Sequence, residues 1–182
     1  MKGLPAGYGI RFGELLDLPI LIAVDRAASE LFRPTGLIPD MAAIPESVPA
    51  EVLANAVEDG MLIVAHDEES PVGFALCRQR ERYLYLEQLS VDPDHGRQGL
   101  GKLLVNMVVN LAAEHRCNVV ALSTFRDVPW NGPFYRSLGF REIPRNKLES
   151  WMLEIEQEQS ATLDVSQRCF MRRSVRSLRQ RG

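Results

Sequence analysis

From Leu84 to Leu104 the chain reads LYLEQLSVDPDHGRQGLGKLL: an alternating apolar segment, a proline stop at Pro93, three glycines within six residues (Gly96, Gly99, Gly101), then an amphipathic run. A strand feeding a glycine-rich turn that opens a helix is an anion site. The first four helix N–H groups lack acceptors, and the dipole leaves about half a positive charge there. Glycine lets a phosphate come close to those amides, and Arg97 and Lys102 add charge beside it. The spacing from Gly96 to Lys102 also fits the GxxxxGK of a nucleotide-binding P-loop. The next residue, however, is Leu103, where a magnesium-holding Ser or Thr is needed. A dinucleotide fingerprint fails as well, since Leu104 stands where a third glycine is required.

Glu87 is the second chemical feature, a carboxylate within an otherwise apolar strand. Such a group is uncommon unless paired or working. Strict alternation puts it on the face of Tyr85, Leu89 and Val91, opposite Leu84, Leu86, Gln88 and Ser90. It reads as a general base or, alternatively, as an ion-pair partner of Arg80 or Arg82. Cys77, Cys117 and Cys169 form no CxxC pair, and His66, His95 and His115 show no helical i, i+4 spacing, so no metal is expected. The thiols read as buried and incidental.

The elements that position these residues follow from periodicity and breakers. A short strand is predicted at Tyr8 to Phe12, then a helix capped by Asp17, with Pro19 in its first turn, running to about Phe32. Prolines punctuate a loop from Arg33 to Pro49, of a length that is often functional, and Glu30, Asp40 and Glu46 could attract a cation there. A helix from Pro49 to Asp59 stops at Gly60. Strands at Met61 to His66, Val72 to Gln79 and Tyr83 to Val91 read as an antiparallel meander, followed by a helix from Gly99 to His115. A buried strand at Val119 to Ser123, a short helix near Pro133 to Leu138, a strand from Phe140, a helix carrying Leu148, Trp151, Met152 and Ile155, and a strand near Cys169 to Arg173 complete the pattern. The fold class is α/β (α+β), with one mixed, mostly antiparallel central sheet flanked by helices. Residues 1–182 read as a single domain, with a core of about 8–174 and a basic tail of about 175–182.

Bulk properties narrow the function classes. With 182 residues, 46% of them hydrophobic, one core suffices, and a formal charge of −3 lacks the excess of a nucleic-acid binder. No run is long enough to span a membrane and the opening residues lack a secretion signal, so a soluble cytoplasmic protein is expected. Six arginines and no acid between Arg168 and Arg181 read as a solubilising tail rather than an RNA-binding one.

The glycine segment resembles the cofactor motif of the GNAT superfamily of acetyl-CoA-dependent N-acetyltransferases. WNGPFYRSLGF at Trp130 to Phe140 is similar to that superfamily's second motif, a short helix carrying a tyrosine with Gly-Phe four residues on. The element order is similar from Tyr8 to about Ser174. The resemblance implies an acyltransferase that moves acetyl from acetyl-CoA to a primary amine of a small molecule or protein, in a ternary complex and without metal. It implies that the backbone of Leu89, Ser90 and Val91 holds the pantetheine arm. Amides from Arg97, Gln98, Gly99, Leu100 and Gly101 toward Lys102 would hold the pyrophosphate, with Asn131 as a further cofactor ligand. Gly96 stands where the family usually has Gln or Arg, and Asn131 is closer to the tyrosine than the family's asparagine. Glu87 is then the base, working through ordered water, since an ordinary glutamate is roughly six units less basic than an alkylamine. Tyr135 is the acid for the departing thiolate, uphill by about 2 kcal/mol for unperturbed groups. The implied partners are acetyl-CoA and an amine acceptor, with a homodimer open and neither membrane nor nucleic acid expected. A non-catalytic acetyl-CoA sensor and a P-loop nucleotide binder are the alternatives.

Overall fold

The computed structural model describes residues 5–38 and 40–175. Pro39 of the predicted loop and most of the predicted basic tail, including Arg176, Arg179 and Arg181, lie outside the described residues. Seven strands and five helices occur among the described residues: β1 (Gly9–Phe12), α1 (Leu18–Ser29), α2 (Ala50–Glu58), β2 (Leu62–His66), β3 (Pro71–Arg80), β4 (Tyr83–Val91), α3 (Leu100–Glu114), β5 (Val119–Phe125), α4 (Gly132–Ser137), β6 (Arg141–Glu142), α5 (Ser150–Gln159) and β7 (Arg168–Ser174). They form one sheet in the order β1-β2-β3-β4-β5-β7-β6, antiparallel at every pair except β4 with β5. The sequence-derived architecture is therefore the observed one, with boundaries shifted by a residue or two at most elements.

Two local expectations change. The helix expected to reach Phe32 ends at Ser29 and tightens into a 3₁₀ segment over Glu30–Thr35, closed by Gly36 in the left-handed region. Asp17 does precede the first turn of α1, but its side chain makes no cap bond to that helix and instead closes a capping box with Glu14 on the 3₁₀ turn before it. Arg11 takes the carboxylate in a fork, at 2.6 and 2.7 Å, and the Glu14 N–H donates to it at 2.8 Å. A bidentate charged partner outcompetes a single helix amide for the same oxygens.

Residues opposite one another in adjacent strands share a face. Tyr83, Tyr85, Ala121 and Phe170 lie on one face and pack with Trp151 and Met152 of α5. Leu84, Leu86, Val120 and Leu122, on the other face, join the larger core that holds Leu104, Val105 and Val108 of α3. Cys77, Cys117 and Cys169 are buried and unpaired. Burial raises all three thiols, Cys169 to about 11, so they stay protonated and unreactive.

Candidate active site

The central feature is an irregularity in β4. Leu76 of β3 pairs with Gln88 but Cys77 pairs with Leu86, so Glu87 is an extra residue, a β-bulge. Past the bulge the alternation expected from sequence inverts. Gln88 and Ser90 stand opposite Leu76 and Phe74, and both donate to the Asp25 carboxylate of α1, at 2.7 and 2.6 Å. Leu89 and Val91, expected on the Glu87 face, turn instead to the face of Leu84 and Leu86. Asp25 is only 2% exposed and also accepts from the Val48 N–H at 2.7 Å, so one carboxylate ties α1, the loop before α2, and β4 together.

β5 leaves β4 at the same level. Their parallel pairing runs from Tyr83↔Val119 to Leu86↔Leu122 and stops, while β5 continues against β7 to Phe125. The Asp92 N–H bonds to Val72 O at 2.8 Å, which sets the phase of the β3–β4 ladder. Gln88 and Ser90 direct their backbone groups to β3, whereas Leu89 and Val91 direct theirs into the widening gap. Of the three residues expected to face a pantetheine arm, Ser90 is therefore turned away, its hydroxyl buried on Asp25.

At the end of β4 a 3₁₀ turn at Pro93–His95 leads through Gly96 to α3. The backbone of Gly99 takes φ 87°, a conformation natural to glycine, and Arg97 takes φ 60°. Among the described residues no acceptor meets the N–H of Arg97, Gln98, Gly99, Leu100, Gly101 or Lys102, and the helix ladder begins with Leu103 N–H on Gly99 O at 3.1 Å. Six consecutive free donors at a helix start form a cradle for a polyanion. The Tyr8 hydroxyl meets His95 Nδ1 at 2.9 Å, pinning the turn to the start of β1.

α4 supplies Tyr135, buried against Phe134 and Phe140 with ring centroids 5.1 and 5.7 Å away. Its hydroxyl has no hydrogen-bond partner among the described residues, and burial pushes the phenol well above its ordinary range. Gly132 fixes this helix: a Cβ there would lie 2.0 Å from Arg126 O. Asn131 precedes the helix, with its carbonyl accepting from Tyr135 N–H at 2.9 Å and its side-chain amide turned to Trp130 O at 3.4 Å. Phe134 reaches back to the glycine turn, where a Cβ on Gly101 would meet its ring at 3.5 Å.

Glu87 is ion-paired, but with Arg78 at 2.9 Å rather than with Arg80 or Arg82. Arg82 instead bonds to Glu149. The carboxylate keeps 32% side-chain exposure, so it remains within reach of water. Ser123, one residue past the last β4–β5 rung, lies level with the bulge and accepts from Arg168 at 3.2 Å. Arg168 also donates to Gln159 Oε1 of α5 at 3.0 Å and lies 4.7 Å from the Phe125 ring centre. Neither Asp25 nor Arg168 stood out from the sequence. A lone acid in the buried stripe of α1 was the available signal for Asp25, whereas the setting of Arg168 comes from three separate elements. The acids expected to attract a cation are already engaged: Glu30 holds Arg33, Glu46 holds Arg26, and Asp40 closes its own turn on Ala42 N–H.

Among the described residues no group of three or more His, Cys, Asp or Glu could hold a metal ion, and no helix is long and apolar enough to cross a membrane. The sequence pattern of the acetyltransferase (GNAT) family matches residues 26–140. The peptidyl-lysine N-acetyltransferase YjaB of Salmonella typhimurium is 30% identical over 100 residues, 54% of this chain. The match spans 63% of that relative, less than two thirds of its length. The solved ribosomal-protein-S18-alanine N-acetyltransferase of Escherichia coli has a TM-score of 0.66 at 18% identity, covering 96% of this chain and 98% of that one. The PaiA N-acetyltransferase of Thermoplasma acidophilum, solved with coenzyme A, has a TM-score of 0.63 at 14% identity, covering 92% and 98%. At these identities the solved structures speak to the fold.

Proposed function

The chain belongs to the acetyltransferase (GNAT) family, and from that premise we propose that it moves an acetyl group from acetyl-CoA to a primary amine by direct attack with both substrates bound. The observation that carries this reading is the run of six unsatisfied amides, Arg97 to Lys102, at the end of a strand whose neighbour has parted from it. A diphosphate fits the amides, and an extended amide-bearing arm fits the free backbone edge of Leu89 and Val91 as an added strand would. The curated relative acts on peptidyl-lysine, which supports an amine acceptor.

Acetyl-CoA supplies an activated acyl group: the amine nitrogen bonds to the carbonyl carbon, the carbon–sulfur bond breaks, nitrogen loses a proton and sulfur gains one. In this chain the bulge aims Glu87 at the side of the gap away from α3, where its carboxylate relays the amine proton through water. Arg78 orients that carboxylate. Tyr135 is protonated throughout the neutral range and its hydroxyl is available to the departing sulfur; burial raises the phenol further, so its help comes from hydrogen-bonding the developing thiolate more than from complete proton transfer. With the Val91 edge holding the arm, the free N–H of Leu89, nearer the bulge, is the donor left for charge developing on the carbonyl oxygen. Asn131 contributes through its main chain, which holds Tyr135, more than through its amide. About residues 8–174 act as one catalytic domain in the cytoplasm, a reducing setting compatible with the three free thiols.

Acetyl-CoA at 100 times its Kd should stabilise the fold by about 2.7 kcal/mol, and a crystal of that complex should place the diphosphate on the Arg97 to Lys102 amides. Stabilisation by Mg-ATP but not by acetyl-CoA, or a diphosphate bound elsewhere, would refute the reading. Binding without thiol release on any amine would leave a sensor rather than an enzyme.

A further inference from the structure

We infer that the acceptor is a small amine that also carries a carboxylate, and that Arg168 is the residue that binds this carboxylate. The inference rests on the acetyltransferase reading and names the substrate class of that same site.

Arg168 is a half-buried charged group without an opposite charge beside it. Its Nε and Nη2 reach only the neutral oxygens of Gln159 and Ser123, and its Nη1 meets no acceptor among the described residues. Arg78, Arg126, Arg33 and Arg26 are matched by Glu87, Glu142, Glu30 and Glu46, and Arg80, which forms no ion pair among the described residues, is exposed to solvent. Arg168 forms no carboxylate pair within 4 Å among the described residues, and burial works against its charge. A half-buried cation left among neutral groups loses part of its hydration, and an anion that completes it gains a charge-assisted pair.

Position decides which anion. The phosphate-binding amides lie at the start of α3, beyond Val91 at the far end of β4. Ser123, which holds the guanidinium, is level with the Glu87 bulge, and the Arg168 side chain shares the face of Tyr85, Ser123 and Phe125. The Tyr85 hydroxyl, on that face, has no partner among the described residues, and the charges of Arg168, Arg78 and Arg80 all act on it. Arg168, with no carboxylate beside it, and the free Tyr85 hydroxyl thus share the face of the sheet onto which the bulge turns Glu87 toward Arg78, away from the nucleotide end of the donor. A planar carboxylate matches the guanidinium fork. On the strands of this face the acid present, Glu87, is already paired with Arg78, which disfavours a polyamine there.

The test is thiol release from acetyl-CoA with a panel of the twenty amino acids, their α-amides, the corresponding decarboxylated amines, and phosphoethanolamine. For the best acid, wild type should prefer the acid over its amide at least 10-fold in kcat/KM, through KM. Arg168→Gln should raise KM for the acid by roughly 10²-fold more than it raises KM for the amide. Arg168→Lys, which keeps the charge but not the fork, should fall between. Equal use of acid and amide by wild type, equal losses on both in Arg168→Gln, or a preference for phosphoethanolamine would overturn the inference and leave the acetyltransferase reading intact. If no amine is acetylated while acetyl-CoA fails to bind, that reading falls and the inference falls with it. Should Arg168→Gln not fold, the wild-type comparison and the lysine variant decide.

Discussion

Asp25→Ala tests whether one buried carboxylate sets the shape of β4. The native group is 2% exposed and accepts from Ser90 Oγ at 2.6 Å, Gln88 Nε2 at 2.7 Å and Val48 N–H at 2.7 Å. Each such bond to a charged group contributes about 1.5–3 kcal/mol, partly offset by no longer having to desolvate the carboxylate. The variant also leaves Ser90 Oγ and the Val48 N–H without their acceptor in a dry site. The net loss should be about 3–5 kcal/mol, the range for stripping one partner from a buried charged network. For a chain of this size that corresponds to a fall in Tm of roughly 6–20 °C. Urea unfolding should show a lower midpoint with an unchanged slope. Because Gln88 and Ser90 hold the segment past the bulge, acetyl-CoA affinity should weaken as well, read by titration well below the new Tm. A loss under about 1 kcal/mol, or full destabilisation with unaltered acetyl-CoA affinity, would refute the idea that this contact organises the strand.

Three further outcomes are expected. Gly132→Ala places a methyl group 2.0 Å from Arg126 O, a backbone atom that cannot swing aside. It should cost on the order of 3 kcal/mol or more by thermal unfolding, and unchanged stability would mean that the loop entering α4 is looser than described. Arg11 holds the Asp17 carboxyl below its ordinary 3.8, with help from the Glu14 N–H. Its stabilisation is therefore complete above about pH 4 and is lost as pH falls through the lower folded value. Asp17→Asn should lower stability at pH 7 by about 1.5–3 kcal/mol and flatten the acid limb of the stability profile, and parallel limbs would exclude this pair as a source of acid lability. Tyr135→Phe keeps the ring packing, so Tm should move little while turnover falls by at most roughly 10²- to 10⁴-fold. Unaltered chemistry-limited turnover would remove the phenol from the reaction.

Most elements were legible because each announces itself locally. Leu100, Leu104, Val108 and Leu111 repeat at helical spacing, Gly60 and Gly139 stop helices, and the β2–β3–β4 runs are bounded by turn residues. The glycine turn was legible for the same reason, since its free amides follow from a helix start. Arg78 was missed as the partner of Glu87 because cross-strand pairing depends on register, and strict alternation assumes a register without insertions. Arg168 was missed because its setting comes from Ser123, Gln159 and Phe125, residues that only the folded sheet brings to one place.

The sequence does hold a trace of the bulge in the polarity of Gln88 and Ser90. With unbroken alternation these side chains would face the apolar core beneath α3, where neither would find a partner. One extra residue at Glu87 exchanges the faces, so that Gln88 and Ser90 meet Asp25 while Leu89 and Val91 pack against the larger core. The same residue marks the last level at which β5 can pair, since Leu86↔Leu122 is the final rung. A bulge bends its strand and increases the local twist, which draws β4 away from a parallel neighbour held on its other side by β7. The aimed carboxylate, the free backbone edge and the gap between the strands are then consequences of a single inserted residue. Deleting Glu87 should therefore remove the gap and the carboxylate together rather than one without the other.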